Sequence, residues 1–261
     1  MNILLIGDII GRPGRRAVTR LLPGLIEEFE AHLVVVNAEN AAGGFGMSRQ
    51  IYDQLVGIGV DVLTTGNHVW DRKEFISEIE HCERLLRPAN FFPGVPGKGW
   101  IVAETEHGPA AVVNMEGRVY MPPVDCPFRG ADQVLSEIDP DVRVIIMDFH
   151  AEATSEKEAM GYYLDGKVSA VIGTHTHVTT ADPKILPHGT AYMSDVGMTG
   201  PRDSVLGFKI QPVLDRFLTG MPRRLETAAG PVELNAACVA CDPKTGKALH
   251  ITAIRRELDA E

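Results

Sequence analysis

The sequence predicts an α/β sandwich, in which a mixed, largely parallel sheet is flanked by helices and followed by C-terminal antiparallel strands. Up to His175, short continuous apolar runs alternate with stretches of helical periodicity, a pattern typical of buried parallel strands linked by helices. After His175 the pattern changes to strands and turns. Because no internal repeat or low-complexity linker divides the 261 residues, we expect a single domain over residues 1–261.

The first half of the chain predicts strands and helices in alternation. Its apolar runs place strands at residues 3–6, 33–36, 60–65, 100–105 and 110–115. Helices are expected between the early strands, at residues 15–30, 48–58 and 73–80. Pro13 lies near the start of the first helix, where a missing N–H costs little. Ser48 is a typical N-cap residue for the second helix.

The second half continues the alternation and then ends in an antiparallel pair. Strands are expected at residues 144–148, 170–173, 235–239 and 249–254, and helices at residues 131–138, 155–163 and 212–218. The turn at residues 242–246 joins the last two strands. Two Pro/Gly-rich segments, residues 92–99 and 120–130, are interpreted as loops.

The loop at residues 120–130 also bears on assembly. It carries Met121, Val124 and Phe128, which are costly to leave exposed together. We therefore expect a homo-oligomer, unless this loop folds over the active site instead.

Composition and charge limit the classes of partner. The apolar content of 44% and charged content of 23% are ordinary for a folded globular protein. A formal net charge of −10 argues against a long nucleic-acid groove, which would depend on cationic contacts to phosphates. The apolar N-terminus lacks a basic segment before it, and no run approaches the ~20 apolar residues of a membrane helix. We expect a cytoplasmic protein that does not bind membranes.

Cysteines provide little evidence for redox or zinc chemistry. Four are present, too few and too scattered for a secreted disulfide framework. Cys238 and Cys241 form a CxxC pair, which could be a redox pair or half of a zinc site. The pair lies within an apolar run and no second CxxC exists, so thiols packed in a strand are the favoured interpretation.

Five predicted strands end in residues of the types that bind metals. In an open α/β sheet, ligands bind at the carboxyl ends of the strands, so these residues are expected to converge. The candidate metal ligands are Asp8, Glu39, Asn40, Asn67, His150, His175 and His177. Taken alone, Asp8 and Asn67 could be turn residues, and the histidines could face solvent.

The donor types favour transition metals over calcium or magnesium. Imidazole suits iron, manganese or zinc, while carboxylate and amide oxygens add hard ligands. The seven side chains exceed what one ion needs, and two ions that share Glu39 would use them well. We expect two ions per chain, with iron or manganese before zinc.

The motifs in which these residues occur resemble those of a known enzyme superfamily. Gly7-Asp8, Gly66-Asn67-His68 and Gly173-Thr-His-Thr-His177 are similar to motifs of the calcineurin-like metallophosphoesterases. The fuller set resembles the bacterial YmdB-like branch: GDIIGRPG from Gly7, NAENAAGG from Asn37, TTGNHVWD from Thr64, DFHAE from Asp148 and SDVGMTGP from Ser194. These motifs follow in order along nearly the whole chain.

The resemblance implies a metallophosphoesterase-like fold and a division of the ligands between two ions. One ion would be held by Asp8, Glu39, Asn40 and His177, and the other by Glu39, Asn67, His150 and His175. The usual Asp-x-His opening is Asp8-Ile-Ile here, so one histidine is missing, and Asn40 could fill its place.

The expected reaction is the hydrolysis of a small phosphoester by a metal-bridging hydroxide. The resemblance implies a phosphodiesterase acting on cyclic nucleotides, especially 2′,3′-cyclic ones. His68, next to Asn67, is expected to protonate the leaving group. Two alternatives are a phosphomonoesterase on the same site and a metal–nucleotide sensor with little turnover.

Several other side chains are weaker candidates. Asp195 could orient a ligating histidine or could be an ordinary strand-end turn residue. Arg202 and Lys209 could contact a phosphate, although surface charge is the favoured interpretation. The aromatic residues that could stack on a base are Phe45, Tyr120, Phe128 and Phe149.

Overall fold

The computed structural model describes residues 1–259, which form two six-stranded sheets packed face to face. The strands are β1 Asn2–Ile6, β2 Leu33–Asn37, β3 Val62–Thr64, β4 Trp100–Thr105, β5 Gly108–Glu116, β6 Val144–His150, β7 Ala170–Thr174, β8 Lys184–Ile185, β9 Ala191–Met193, β10 Gly200–Pro201, β11 Val232–Cys241 and β12 Ala248–Leu258. The helices are α1 Gly11–Glu28, α2 Arg49–Gly57, α3 Lys73–Ile76, α4 Pro127–Glu137, α5 Thr154–Tyr163 and α6 Ile210–Thr219, with a 3₁₀ turn at Ile79–His81.

Both sheets combine parallel and antiparallel pairs. The first has the order β10–β11–β1–β2–β3, with β12 paired to β11. In it, β1, β2 and β3 are parallel, whereas β11 runs antiparallel to β1. The second has the order β4–β5–β6–β7–β9–β8, in which β5, β6, β7 and β9 are parallel. The parallel centres direct many strand ends toward one edge of the sandwich.

Three apolar clusters hold four layers together. Leu4 and Val34 face α1 and α2, while Ile3 and Val35, one residue earlier or later, face the other sheet. This alternation is the period of two that a strand buried on both faces requires. On the far side, the second sheet packs against α4 and α5. The order of layers is therefore helix, sheet, sheet, helix.

The predicted fold class is confirmed, and the predicted strands and helices are all present. Ser48 caps α2 as expected, since its Oγ accepts a hydrogen bond of 3.4 Å from the Ile51 N–H. The prediction did not specify two separate sheets. Apolar runs identify strands but carry no information about which strands pair.

One loop prediction was partly wrong. Helix α4 begins at Pro127, inside the segment expected to be a loop at residues 120–130. Proline is suited to a first helical turn because φ is already fixed there. Met121, Val124 and Phe128 are half-buried, and the Phe128 ring lies 5.3 Å from that of Tyr163. The exposed patch behind the expected oligomer is thus smaller than the sequence indicated, and the oligomer stays a prediction.

The CxxC pair lies in β11, as the favoured interpretation required. Cys238 faces the α1 side of the first sheet and Cys241 faces the second sheet. Both thiols are free and buried. Because they are on opposite faces of the sheet, they do not form a redox pair in this structure. Within residues 1–259, no helix is long and apolar enough to cross a membrane.

Candidate metal centre

The seven predicted ligands come from both sheets and meet at one edge of the sandwich. Asp8 follows β1, Glu39 and Asn40 follow β2, and Asn67 follows β3. From the second sheet, His150 ends β6, and His175 and His177 follow β7. The backbone N–H of His175 donates to Asp8 Oδ2 over 3.2 Å, which joins the two sheets directly.

The first group of donor atoms surrounds the Nε2 of His150. Glu39 Oε1, Asn67 Oδ1 and His175 Nδ1 each lie 3.1 Å from it. Two ligands that bind an ion at about 2.1 Å and at right angles are themselves about 3 Å apart. The three distances to His150 Nε2 are therefore those expected of donors around a common ion.

The second group contains Asp8, Glu39 and His177, whose potential ligand atoms all lie within 4.8 Å of one another. Asn40 lies among them, with Nδ2 at 3.0 Å from Glu39 Oε1 and 3.2 Å from His177 Nε2. Glu39 belongs to both groups, so its carboxylate occupies the position of a bridging ligand.

Two oxygen atoms in this group are buried without a hydrogen-bond partner, namely Asp8 Oδ1 and Asn40 Oδ1. An unpaired buried acceptor costs about 1–3 kcal/mol. A cation beside them would satisfy Asp8 Oδ1 directly, and Asn40 after rotation of its amide, whose O and N are assigned rather than observed. The donor set therefore fits a pair of metal ions.

Hydrogen bonds outside the two groups orient the rings of His175 and His177. The Nε2 of His175 lies 3.1 Å from Glu152 Oε2, so we assign its proton to Nε2 and leave Nδ1 free to face His150. The Nδ1 of His177 lies 3.2 Å from the carbonyl oxygen of Leu206, which leaves Nε2 facing Asp8. Metal-binding histidines are commonly oriented in this way.

The backbone between these histidines is strained and firmly held. His175 and His177 have φ values of 97° and 65°, which residues other than glycine rarely adopt. The Asp195 carboxylate holds the turn, since its Oδ2 accepts from Thr176 N over 3.0 Å and from Lys157 Nζ over 2.6 Å. Asp195 thus supports the histidines through the loop backbone and does not bond to their rings.

Electrostatics around His150 favour a cation. Burial alone would lower the pKa of His150, but the Glu39 carboxylate, assisted by Asp8 and Asp148, outweighs burial and raises this pKa to about 10. Burial also raises the pKa of Asp8 to about 6, although His177 and His150 oppose the increase. His175 is different, because burial and the neighbouring His150 lower its pKa to about 3. Neutral His175 is the form that can donate a lone pair to a metal.

His68 lies at the edge of the cluster rather than inside it. Its backbone N–H donates to Glu39 Oε2 over 3.1 Å, which leaves the ring directed elsewhere. The ring Nδ1 lies 2.8 Å from Asp71 Oδ2, and the Phe45 ring packs against it at 5.0 Å. Unlike the seven candidate ligands, His68 lies outside both donor groups, and its side chain is 28% exposed.

A cavity of about 500 Å³ opens above the cluster. Its polar side includes Glu39, His68, Glu152, His175, Thr176 and His177. Its opposite wall is mainly apolar and comes from α6 and the segments beside it: Val205, Leu206, Phe208, Val213, Arg216, Phe217 and Leu225. A ligand that fits this cavity has one charged end and one apolar or aromatic end.

The aromatic residues considered for stacking on a base differ in their position relative to the site. Phe45 lies near the site and stacks on Phe208 with ring centroids 5.2 Å apart. Phe149 was wrong as a stacking candidate, because it is fully buried in the core. Tyr120 and Phe128 do not line this cavity.

The two basic candidates are surface residues, as favoured. Arg202 pairs with Asp203 and Glu257, and Lys209 pairs with Glu226.

Another cluster, made of His32, Glu106 and His107, has ligand-type residues but unsuitable protonation. The N–H of Asn2 donates to His32 Nδ1 over 2.9 Å. The proton of the neutral His32 ring is therefore on Nε2, the atom that faces Glu106 at 3.5 Å. This nitrogen has no free lone pair for a metal.

Sequence reasoning suggested a supporting role for Asp195 but missed the other residues that support the ligands. Asp148 is fully hydrogen-bonded beside His150, and Glu152 and Asp71 bond to the rings of His175 and His68. Asp148 was detectable in part, because it precedes His150 by two residues and so shares its face of β6. No local pattern indicates the partner of Glu152.

Comparisons with known proteins identify the family to which the chain belongs. The family described as YmdB-like protein matches residues 4–254. The 2′,3′-cyclic-nucleotide 2′-phosphodiesterase of Bacillus subtilis (strain 168) is 46% identical over 254 residues, which are 97% of this chain and 96% of that protein.

Two solved structures are also similar over nearly the full length. A hypothetical protein from Thermus thermophilus superposes with a TM-score of 0.92 at 42% identity, covering 98% of this chain and 99% of that one. A phosphatase from Mycoplasma pneumoniae superposes with a TM-score of 0.93 at 34% identity, covering 100% and 94%. Since the family match, the long alignment and the shared fold all span the donor cluster, the chain belongs to the YmdB-like family.

Proposed function

We propose that this protein is a dinuclear metal-dependent phosphodiesterase that hydrolyses 2′,3′-cyclic nucleotides. It is a hydrolase of phosphoric esters, as the full-length similarity to the Bacillus subtilis phosphodiesterase supports. The observation that carries the proposal is the sharing of Glu39 between two donor groups at the base of a cavity.

We assign one ion to Asp8, Glu39, Asn40 and His177, and the other to Glu39, Asn67, His150 and His175. Iron or manganese is favoured over zinc, because the donors mix imidazole with carboxylate and amide oxygens. When bound, two such ions lower the pKa of water and neutralise charge on the phosphoryl oxygens.

The shape of the cavity supports a nucleoside substrate. A phosphate directed at the donor cluster would leave the rest of the molecule against the apolar wall that includes Phe208, Val213 and Phe217. Aromatic and aliphatic surface of this kind stacks on a base without reading its hydrogen-bonding edge. Arg216 is the one basic side chain on that wall. We therefore expect weak discrimination between bases.

We assign the role of general acid to His68. The Asp71 carboxylate accepts from Nδ1, which orients the ring. The opposite ring nitrogen is then available to a leaving oxygen in the cavity that His68 lines. The ring is not needed for either donor group, so its proton is free for transfer.

A single set of assays tests the proposal. The metal content of the purified protein is measured first, with two ions per chain expected. The metallated protein is then assayed with 2′,3′-cyclic, 3′,5′-cyclic and monoester nucleotides, and we expect the 2′,3′-cyclic esters to give the highest kcat/KM. Preference for monoesters would indicate a phosphatase, and saturable binding without turnover would indicate a sensor. Either result would overturn the proposal, and Glu39→Ala provides the inactive control.

A further inference from the structure

A buried chain of hydrogen bonds leads away from His150 on the side opposite the donor cluster. The His150 Nδ1 lies 2.9 Å from the Thr174 hydroxyl, and this hydroxyl lies 2.7 Å from Asp148 Oδ1. All three residues are at most 3% exposed. Solvent therefore does not set the direction of these hydrogen bonds.

The direction of the chain is fixed at the Asp148 end. Its Oδ2 receives the Thr64 hydroxyl and the Asn37 Nδ2, the latter at 3.1 Å. The Asn37 amide is oriented in turn, because its Oδ1 accepts from the Glu39 N–H over 3.2 Å. Three donors converge on this carboxylate, the arrangement expected of a group that accepts at both oxygens, so we assign the Thr174 hydroxyl as the donor to Oδ1.

This direction determines the tautomer of His150. A hydroxyl has one proton, and that of Thr174 is used on Asp148. The Thr174 oxygen then accepts from His150 Nδ1 over 2.9 Å, a closer contact than the 3.4 Å between Asn37 Nδ2 and the same nitrogen. We therefore assign the proton of the neutral ring to Nδ1. The Nε2 lone pair is left facing Glu39, Asn67 and His175, each with a donor atom 3.1 Å away.

We propose that Asp148 is a positioning residue that acts through Thr174 to select the metal-binding tautomer of His150. The inference rests on the proposed role of His150 as a metal ligand. The proposal also fixes the direction of each hydrogen bond, since a hydrogen-bond donor in place of Asp148 Oδ1 would reverse every bond up to His150.

Asp148→Asn provides that reversal with little change in shape. Thr64 and Asn37 would hold the new carbonyl oxygen at the Oδ2 position, and the amide NH₂ would face Thr174. The Thr174 hydroxyl would then donate to His150 Nδ1, which favours the ring tautomer with its proton on Nε2, where that proton competes with the metal. Thr174→Val removes the hydroxyl that links Asp148 to His150 without reversing any hydrogen bond, and Thr174→Ser keeps a hydroxyl there.

Metal affinity is measured by competition with a chelator. The His150 tautomer is read from ¹⁵N chemical shifts of the metal-free full-length protein above pH 10, where the ring is neutral because its pKa is about 10. We expect a loss of about 10–100-fold in affinity at one site for Thr174→Val and Asp148→Asn. Thr174→Ser should retain wild-type affinity. Only Asp148→Asn should move the His150 proton to Nε2.

Reference variants separate the possible failures. If His150→Ala keeps both metals, the ligand assignment itself is wrong. If His150→Ala loses a metal while Thr174→Val and Thr174→Ser bind metal with equal affinity, Thr174 does not link Asp148 to His150 as proposed. An Asp148→Asn protein with the proton still on Nδ1 would also overturn the proposed hydrogen-bond directions. Thermal unfolding identifies any variant that fails to fold, and the Val/Ser pair decides the question if Asp148→Asn is lost.

Discussion

Gly66 lies directly against the imidazole of His150. A Cβ atom added at Gly66 would be 2.3 Å from His150 Nε2 and 2.1 Å from its Cδ2. The absence of a side chain at Gly66 therefore makes room for the ring at the point where it meets the other donors. A glycine immediately before Asn67 lets β3 and β6 contribute neighbouring ligands.

We predict that Gly66→Ala displaces His150 and weakens metal binding at its site while the protein remains folded. Overpacking of this kind typically costs about 1–3 kcal/mol of stability. Metal titration and thermal unfolding measure the two effects. Gly24→Ala is the control, because nothing lies within 4 Å of a Cβ there and the residue is in α1. Equal metal binding by the two variants would show that the ring does not depend on this contact.

The bridging position of Glu39 gives a second prediction. Glu39→Ala should lose both ions, whereas Asp8→Ala and His150→Ala should each weaken mainly one. The reason is that Glu39 alone belongs to both donor groups. Elemental analysis after reconstitution measures the occupancy. One ion retained at full occupancy in Glu39→Ala would show that its carboxylate does not bridge.

The thiols of the CxxC pair are predicted to be unreactive in the folded protein. Burial raises the pKa of both Cys238 and Cys241 to about 11. At pH 8 only about one thiol in a thousand would then be ionised, and the thiolate is the reactive form. Iodoacetamide labelling with peptide mapping should modify both residues only after unfolding. The half-buried Cys126 is the internal comparison. Rapid native labelling of Cys238 or Cys241 would contradict this prediction.

The sequence was most informative where function depends on strand ends. Asp8, Glu39 and Asn67 each follow an apolar run, and parallel strands bring such positions together whatever the order of the strands. The location of the site could therefore be predicted before the pairing was known. The division into two sheets could not, because pairing depends on contacts between distant segments.

The supporting residues were missed for the same physical reason. Thr174 bonds to Asp148 across 26 positions and Asn37 bonds to Asp148 across 111, and no local period records such contacts. The start of α4 was missed because Pro127 is equally suited to a turn and to a first helical position. Hydrogen-bond direction, which decides the proton positions in the site, depends on all of these contacts together.

The last prediction concerns His68 and the identity of the leaving group. His68→Ala should retain both ions, because the His68 ring lies outside both donor groups and contacts the cluster through its backbone N–H. A ribose oxygen leaves poorly as an alkoxide and needs a proton as its bond to phosphorus breaks. Loss of a general acid typically costs about 10²–10⁴-fold in rate, and we expect a decrease of that size in kcat on a 2′,3′-cyclic nucleotide.

A substrate with a good leaving group provides the matched control. p-Nitrophenolate is stable without a proton, so the same variant should lose much less activity on a p-nitrophenyl phosphodiester. Asp71→Asn should show a smaller effect in the same direction, because Asp71 orients the ring through the 2.8 Å contact to Nδ1. The assays compare kcat on both substrates with metal content measured in parallel. Equal losses on the two substrates, together with reduced metal content, would mean that His68 is a ligand and that another group supplies the proton.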